Sequence, residues 1–230
     1  MKAMILAAGR GERMRPLTDR LPKPLLEVLE KPLIVWHLEN LARAGFKEIV
    51  INHAYLGKQI EDAVGNGARW GLSITYSAEV NALETAGGIA NALALLGDGP
   101  FLVVNADIFT DMDFGHLKDV SLKDRKAHLV MVDNPEHHLE GDFFYSNGEL
   151  SSNQGLKLTF SGIGVYEPAL FDGILPGHAA RLAPILTKAI LNGWVSAEKY
   201  SGVWSDIGTP ERLKLINEEL KEKHVESKRI

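Results

Sequence analysis

Two rhythms of apolar residues alternate along the first half of this chain. Compact apolar runs at residues 4–8, 48–52, 72–77 and 101–104 are too short for helices, and they predict strands. Between them apolar positions recur at helical spacing over residues 30–42, 55–64 and 85–96. Ile34, Leu38, Leu41 and Ala42 form the buried face of the first of these helices, with Pro32 suited to its first turn and Gly45 to the position past its end. Gly65-Asn66-Gly67 closes the second, and the third has a glycine-rich entry. Such alternation predicts an α/β protein: a Rossmann-like mixed, mostly parallel sheet flanked by helices on both faces.

Beyond Val120 the rhythm changes. Residues 127–132 predict a strand, and 142–145 and 158–165 an antiparallel pair, with Ser146-Asn147-Gly148-Glu149 as a hairpin turn between them. Residues 151–155 are a polar loop, 182–191 a helix with Pro184 in its first turn, and 203–206 a short strand. Thr209-Pro210-Glu211-Arg212 opens the last helix with a cap, a proline and an early acid. The charged residues 221–230 are expected to fray. Neither an internal repeat nor a dividing linker occurs, so a single domain over 1–230 is expected, with segments 1–125, 126–208 and 209–230.

The 230 residues, 45% hydrophobic and 24% charged, suffice for a full core. A net charge of −5 argues against nucleic acid as a partner, so any anion site has to be local. The absence of cysteine excludes disulfides, thiolate catalysis and cysteine-based zinc sites. The amino-terminal apolar run is broken by Gly9-Arg10-Gly11-Glu12 before it reaches the length of a leader, and no apolar segment approaches a membrane span. A cytoplasmic protein with no membrane partner is expected.

The loop after the first strand carries the chemistry. Gly9 and Gly11 let backbone N–H groups approach phosphate oxygens; Arg10, Arg13 and Arg15 add forked cations, and Lys23 a compact one. No G-K-[ST] follows, so this is not a P-loop, and Pro16 excludes the G-x-G-x-x-G turn into a helix. A nucleoside triphosphate is the ligand these residues suit; an ordinary glycine turn with solvated arginines is the alternative. Gly9, Asn52 and Asp107 all fall at the carboxyl ends of predicted strands, where ligands of such sheets bind.

Leu6-Ala7-Ala8-Gly9-Arg10-Gly11-Glu12-Arg13-Met14, followed by Pro22-Lys23-Pro24-Leu25, resembles the signature of the sugar-nucleotide pyrophosphorylases. These nucleotidylyltransferases join a sugar 1-phosphate to a nucleoside triphosphate on a GT-A-like, nucleotide-diphospho-sugar transferase fold. Val50-Ile51-Asn52-His53-Ala54, Leu83-Glu84-Thr85, Val132-Asp133-Asn134-Pro135, Gly141-Asp142-Phe143 and Thr159-Phe160-Ser161-Gly162-Ile163 resemble the short uridylyltransferase branch that serves peptidoglycan recycling. The resemblance implies UTP and N-acetylmuramate 1-phosphate as substrates, Mg²⁺ as cofactor, and a monomer or small homo-oligomer. It makes 1–125 the nucleotide half and 126–208 the sugar half.

Residue by residue, the resemblance implies nucleotide contacts at Ala8, Gly9, Gly11, Glu12, Arg13, Lys23 and Gly88. Arg13 would bind the leaving pyrophosphate and Lys23 the α-phosphate, with Asp107 and Asp206 holding the metal. Asn105, Glu140, Gly141, Asp142 and Ser161 would line the sugar half. The reaction needs no protein nucleophile, but bringing two anions to 4 Å costs roughly 4 kcal/mol per unit pair at an effective dielectric of 20. Two departures stand out. Relatives carry a Glu-Lys-Pro lysine for the sugar phosphate, absent here with Lys157 the nearest basic residue, and Ala86 replaces a glycine, which would narrow the base pocket.

Several residues have competing readings. Asp206 also suits a turn, and Asp111-Met112-Asp113 imitates a glycosyltransferase D-x-D motif but better suits capping of a helix from near Phe114. His137-His138, with His116 and His128, are not expected to share a metal, because neighbours on an extended segment point apart. Trp36, Trp70, Trp194 and Trp204 read as packing residues. The functional alternatives are glucose 1-phosphate with dTTP or UTP, mannose 1-phosphate with GTP, a non-catalytic nucleotide-sugar binding module, or a glycosyltransferase.

Overall fold

The computed structural model describes residues 1–227. In chain order the elements are β1 (Lys2–Leu6), β2 (Glu27–Val28), β3 (Lys31–Pro32), α1 (Leu33–Arg43), β4 (Glu48–His53), α2 (Gly57–Val64), β5 (Ser73–Ala78) and α3 (Glu84–Leu96). Then follow β6 (Phe101–Asn105), β7 (Ile108–Thr110), β8 (Ala127–Val132), β9 (Phe143–Ser146), β10 (Glu149–Ser151), β11 (Leu156–Tyr166), α4 (Leu182–Leu191), β12 (Val195–Lys199), β13 (Trp204–Asp206) and α5 (Pro210–Ser227).

A nine-stranded sheet runs β5-β4-β1-β6-β11-β8-β12-β10-β9. Its first four strands are parallel, β11 is antiparallel to both β6 and β8, and β12 returns parallel to β8. Side chains alternate across this sheet with the period of a strand. Ala3 and Ile5 of β1, with Leu102 and Val104 of β6, face α1 and α2, whose Ile34, Leu38, Leu41, Ile60 and Val64 cover them. Met4, Phe101 and Val103 point the other way onto Ile89 and Leu96 of α3 and Leu186 and Ile190 of α4. A third cluster, Met14, Leu26, Val28, Leu33, Phe109, Ile207 and Ile216, ties the glycine loop to β7 and α5. That cluster fixes the loop against the end of the chain that carries Asp206.

Local corrections follow from backbone geometry. Pro32 is the cap of α1 and not part of its first turn, since β3 pairs it with Glu27. Leu56 is left-handed at φ 53°, so α2 begins at Gly57. The Asn147-Gly148 turn joins β9 to β10, while β11 reaches β9 from the far side of the 152–155 loop. Only a 3-10 turn, His116–Asp119, forms where a helix from Phe114 was expected. The last helix continues to Ser227 instead of fraying from Lys221, and 228–230 of that expected tail lie outside the described residues. Among the described residues no helix is long and apolar enough to cross a membrane.

Candidate active site

The carboxyl ends of β1, β4 and β6 open onto two adjoining cavities of about 370 and 390 Å³ that share Asn105 and Asp107. Ala8, Gly9, Lys23, Asn52, Glu79 and Thr85 are on the wall of the first. Arg13, Asp142, Ser161 and Asp206 are on the wall of the second.

The glycine loop is shaped by its two glycines in different ways. A Cβ at Gly9 would meet nothing within 4 Å, so this residue leaves its face of the cavity bare. Gly11 is left-handed at φ +66°, and a Cβ there would lie 2.9 Å from Thr18 Cγ2; the Thr18 hydroxyl donates to the Gly11 carbonyl at 2.7 Å. The chain then makes a 3-10 turn, Glu12–Met14, with Met14 buried in the third core cluster and Arg13 turned out onto the second cavity. Gly11 and Glu12 are not on either wall; Gly11 sets the path that presents Arg13. Lys23 is buried, and its Nζ lies 2.6 Å from Asp107 Oδ2, joining the loop to the end of β6.

A buried chain of hydrogen bonds runs along the wall of the first cavity. The Ala7 N–H donates to Asn52 Oδ1 at 2.9 Å, Asn52 Nδ2 donates to Glu79 Oε1 at 2.7 Å, and the Leu83 N–H donates to Glu79 Oε2 at 3.0 Å. Glu79 escaped the sequence reading, because a single acid after a strand carries no motif. Gly88, expected at the nucleotide, is not on the cavity wall: α3 turns it inward, and a Cβ there would lie 2.8 Å from both Asn52 Nδ2 and Glu79 Oε1. Ala86 is fully buried in the core, so its methyl does not narrow the cavity.

In the second cavity the antiparallel pairing of β7 and β13 sets Asp206 opposite Ile108, and the Ile207 N–H donates to the Asp107 carbonyl at 2.9 Å. Residues 99 positions apart in sequence are thereby brought into the lining of one cavity, together with Arg13. Two carboxylates with open space before them fit a hard divalent cation that keeps water or phosphate as its other ligands. Among the described residues no group of three or more His, Cys, Asp or Glu side chains is arranged for a metal. Asp107 is paired with Lys23; Asp206 is paired with Arg212 Nη1 at 2.8 Å and lies 3.5 Å from His137 Nε2.

The sugar-side residues divide. The pairing of β11 with β8 shifts register between Phe160 and Gly164, and this irregularity puts Ser161 and Gly162 on the wall. Gly162 is needed there because its Cβ would lie 2.6 Å from Asn105 Nδ2. Asp142 is on the wall, bonded to the Phe160 N–H at 2.8 Å and to His138 Nε2 at 3.1 Å. Glu140 and Gly141 are not; Gly141 instead packs at φ +61° against Asn134.

His137 and His138 sit in a 3-10 turn, not an extended segment, and both line this cavity with separate carboxylate partners. Trp204 is also on the wall, its Nε1 donating to the Ser161 carbonyl at 3.0 Å. The D-x-D alternative fails, since Asp111 accepts from Val203 N–H and Tyr200 hydroxyl while Asp113 caps Gly115 N–H at 2.8 Å. Close to Asp107, His37 is wholly buried; burial lowers its pKa to about 4 against the smaller upward pull of the Ile108 backbone and the Asp107 charge.

The chain is similar to known proteins over nearly its whole length. Residues 2–145 match the nucleotidyl transferase family model. Over 221 residues the chain is 57% identical to the N-acetylmuramate alpha-1-phosphate uridylyltransferase of Neisseria meningitidis serogroup B, covering 93% of this chain and 96% of that one. The protein of the same name from Caulobacter vibrioides is 34% identical over 225 residues, covering 91% and 92%. A Bacillus anthracis crystal structure assigned as a glucose-1-phosphate thymidylyltransferase superposes with a TM-score of 0.83 at 22% identity, covering 94% of each chain, a likeness of fold. The chain belongs to the nucleotidyl transferase family.

Proposed function

We propose that this protein is a Mg²⁺-dependent uridylyltransferase that converts UTP and N-acetylmuramate 1-phosphate into UDP-N-acetylmuramate and pyrophosphate. The observation that carries the reading is the meeting of Asp107, Asp206 and Arg13 on one cavity that adjoins the Lys23 and glycine-loop cavity. The 57% identity to the Neisseria enzyme over nearly its whole length supports the choice of nucleotide and sugar.

In this reading UTP occupies the first cavity, with its triphosphate along Ala8 and Gly9 and its α-phosphate toward Lys23. The sugar 1-phosphate occupies the second cavity, against Asn105, Asp142 and Ser161. An oxygen of its phosphate forms a bond to the α-phosphorus, the bond from that phosphorus to the bridging oxygen breaks, and the electron pair leaves on pyrophosphate. Arg13 offsets the charge that accumulates on the leaving group, and Lys23 favours the crowded phosphorus centre. Asp107 and Asp206 would hold the divalent cation, which supplies charge neutralisation and alignment of the two phosphates. Because the nucleophile is already an anion, no side chain has to act as a base.

A pyrophosphate-release screen of UTP, dTTP, GTP and ATP against N-acetylmuramate, N-acetylglucosamine, glucose and mannose 1-phosphates tests the proposal. UTP with N-acetylmuramate 1-phosphate is expected to give the highest kcat/KM. A higher value for another pair overturns the assignment of substrates, and no release with any pair overturns the enzyme.

A further inference from the structure

The second cavity receives a sugar phosphate dianion on a wall that already carries three carboxylates, Asp107, Asp142 and Asp206. Arg13 is the one arginine or lysine among the described residues that line it. A second guanidinium lies immediately behind that wall. We propose that Arg212, in the first turn of α5, binds the phosphate of the sugar 1-phosphate; this rests on the function proposed above.

Three features make Arg212 a built element and not an incidental surface charge. Its side chain is only 15% exposed, and its Nη1 donates to Asp206 Oδ2 at 2.8 Å while also touching His137 Nε2, so it backs two residues of the cavity wall. The guanidinium lies across Gly208, where a Cβ would overlap Arg212 Nη2. Gly208 is not in the left-handed region, so backbone conformation does not call for glycine there, and the room it leaves is filled by this side chain. The start of the helix is fixed as well, by the Arg212 N–H donating to Thr209 Oγ1 at 3.3 Å.

The chemistry matches a phosphate. Nη1 is engaged with Asp206, but among the described residues Nε and Nη2 make no hydrogen bond, leaving part of the fork for an anion. Lys23 is held on Asp107 in the same manner, so each carboxylate of the candidate metal pair restrains one cation beside the place where phosphates meet. A divalent ion held by Asp206 would compete with Arg212 for that carboxylate. Divalent-ion binding and sugar-phosphate binding should therefore reinforce each other through this side chain.

Steady-state kinetics on purified Arg212→Gln, Arg212→Lys and Gly208→Ala proteins tests the assignment, first with Mg²⁺ saturating and each substrate varied in turn, then with Mg²⁺ varied at saturating substrates. Arg212→Gln is expected to raise KM for N-acetylmuramate 1-phosphate roughly 10–100-fold, the range of one charge-assisted contact, with KM for UTP within about twofold. Arg212→Lys keeps a cation on Asp206 but loses the fork, and should give a smaller rise in the same constant. Gly208→Ala retains the arginine but fills its space, and should reproduce Arg212→Gln; the double variant should be no worse than either single one.

Calorimetric titration with the sugar 1-phosphate supplies a readout independent of turnover. The wild type should bind more tightly with Mg²⁺ than without, and Arg212→Gln should lose that gain. An unchanged KM for the sugar phosphate, with a raised Mg²⁺ requirement alone, would mean that Arg212 only steadies Asp206 and would overturn the inference. A wild type that neither binds nor turns over any sugar 1-phosphate would overturn the proposed function itself, and this inference with it.

Discussion

Exchanging the donor and acceptor between Asn52 and Glu79 offers a sharp test of how the first cavity is held. In the wild type every polar atom in this chain of hydrogen bonds has one assignment, because the Ala7 N–H fixes Asn52 Oδ1 as acceptor and leaves Nδ2 to donate to Glu79. Glu79→Gln is isosteric, yet its single carbonyl oxygen cannot accept from both Asn52 Nδ2 and the Leu83 N–H. One pair of donors then faces each other in a buried site, since Asn52 and Glu79 are 2% and 8% exposed. The expected loss is about 1–3 kcal/mol, or a Tm lower by about 2–4 °C for each kcal/mol in a domain of this size.

Asn52→Asp puts two carboxylates where a 2.7 Å hydrogen bond was, and should cost at least as much at neutral pH. Combining Asn52→Asp with Glu79→Gln restores the pattern. The carboxylate introduced at position 52 accepts from the Ala7 N–H and from the amide introduced at position 79, whose carbonyl accepts from the Leu83 N–H. The stability of this double variant is expected within about 1 kcal/mol of wild type, giving a coupling energy larger than either residual effect. Thermal and urea unfolding of the four proteins, with KM for UTP in each, measures the cycle. Additive destabilisation in the double variant would refute the assignment of donors and acceptors, and with it the reason given for the missing side chain at Gly88.

Three further outcomes are expected. Lys23→Ala should lower kcat about 100-fold or more, as removal of a charge stabiliser does, and a full-rate variant would take Lys23 out of the reaction. Because the folded pKa of His37 is depressed to about 4, the unfolded chain binds the extra proton below its ordinary value of 6.5, so stability falls as pH drops through that window. The gap between the two values corresponds to about 3 kcal/mol, and urea unfolding at pH 6.5 and 4 in chelator should show it in wild type and not in His37→Leu. Gly162→Ala should displace Asn105, whose Nδ2 lies 2.6 Å from the added Cβ, and raise KM for the sugar phosphate severalfold; an unaltered KM would remove Asn105 from sugar-phosphate binding.

What could be read from the sequence was what a local pattern encodes. Apolar periodicity located β4, β6 and α4 nearly to the residue and placed β1 two residues late, because each buries one face or both in a layer that repeats every two or 3.6 positions. The glycine loop stood out because its spacing is contiguous, and the strand-end rule put Asn52 and Asp107 at the same edge. Groups assembled by tertiary contact were not legible. Glu79 gains its place from Asn52 and Leu83, and Arg212 from Asp206, His137 and a glycine four residues earlier. His137 and His138 were read as diverging because an extended backbone was assumed, and a 3-10 turn puts both onto one cavity. Gly88 was placed at the nucleotide, but the phase of α3 carries it inward.

Everything depends on two carboxylates from distant segments serving one phosphoryl centre beside the glycine loop. The most direct measurement is Mg²⁺-dependent pyrophosphate release from UTP and N-acetylmuramate 1-phosphate by wild type, Asp107→Asn and Asp206→Asn, all shown to be folded. Each asparagine variant is expected to lose about 100-fold or more in kcat. Wild-type turnover by either one, at the same Mg²⁺ concentration, would contradict the account.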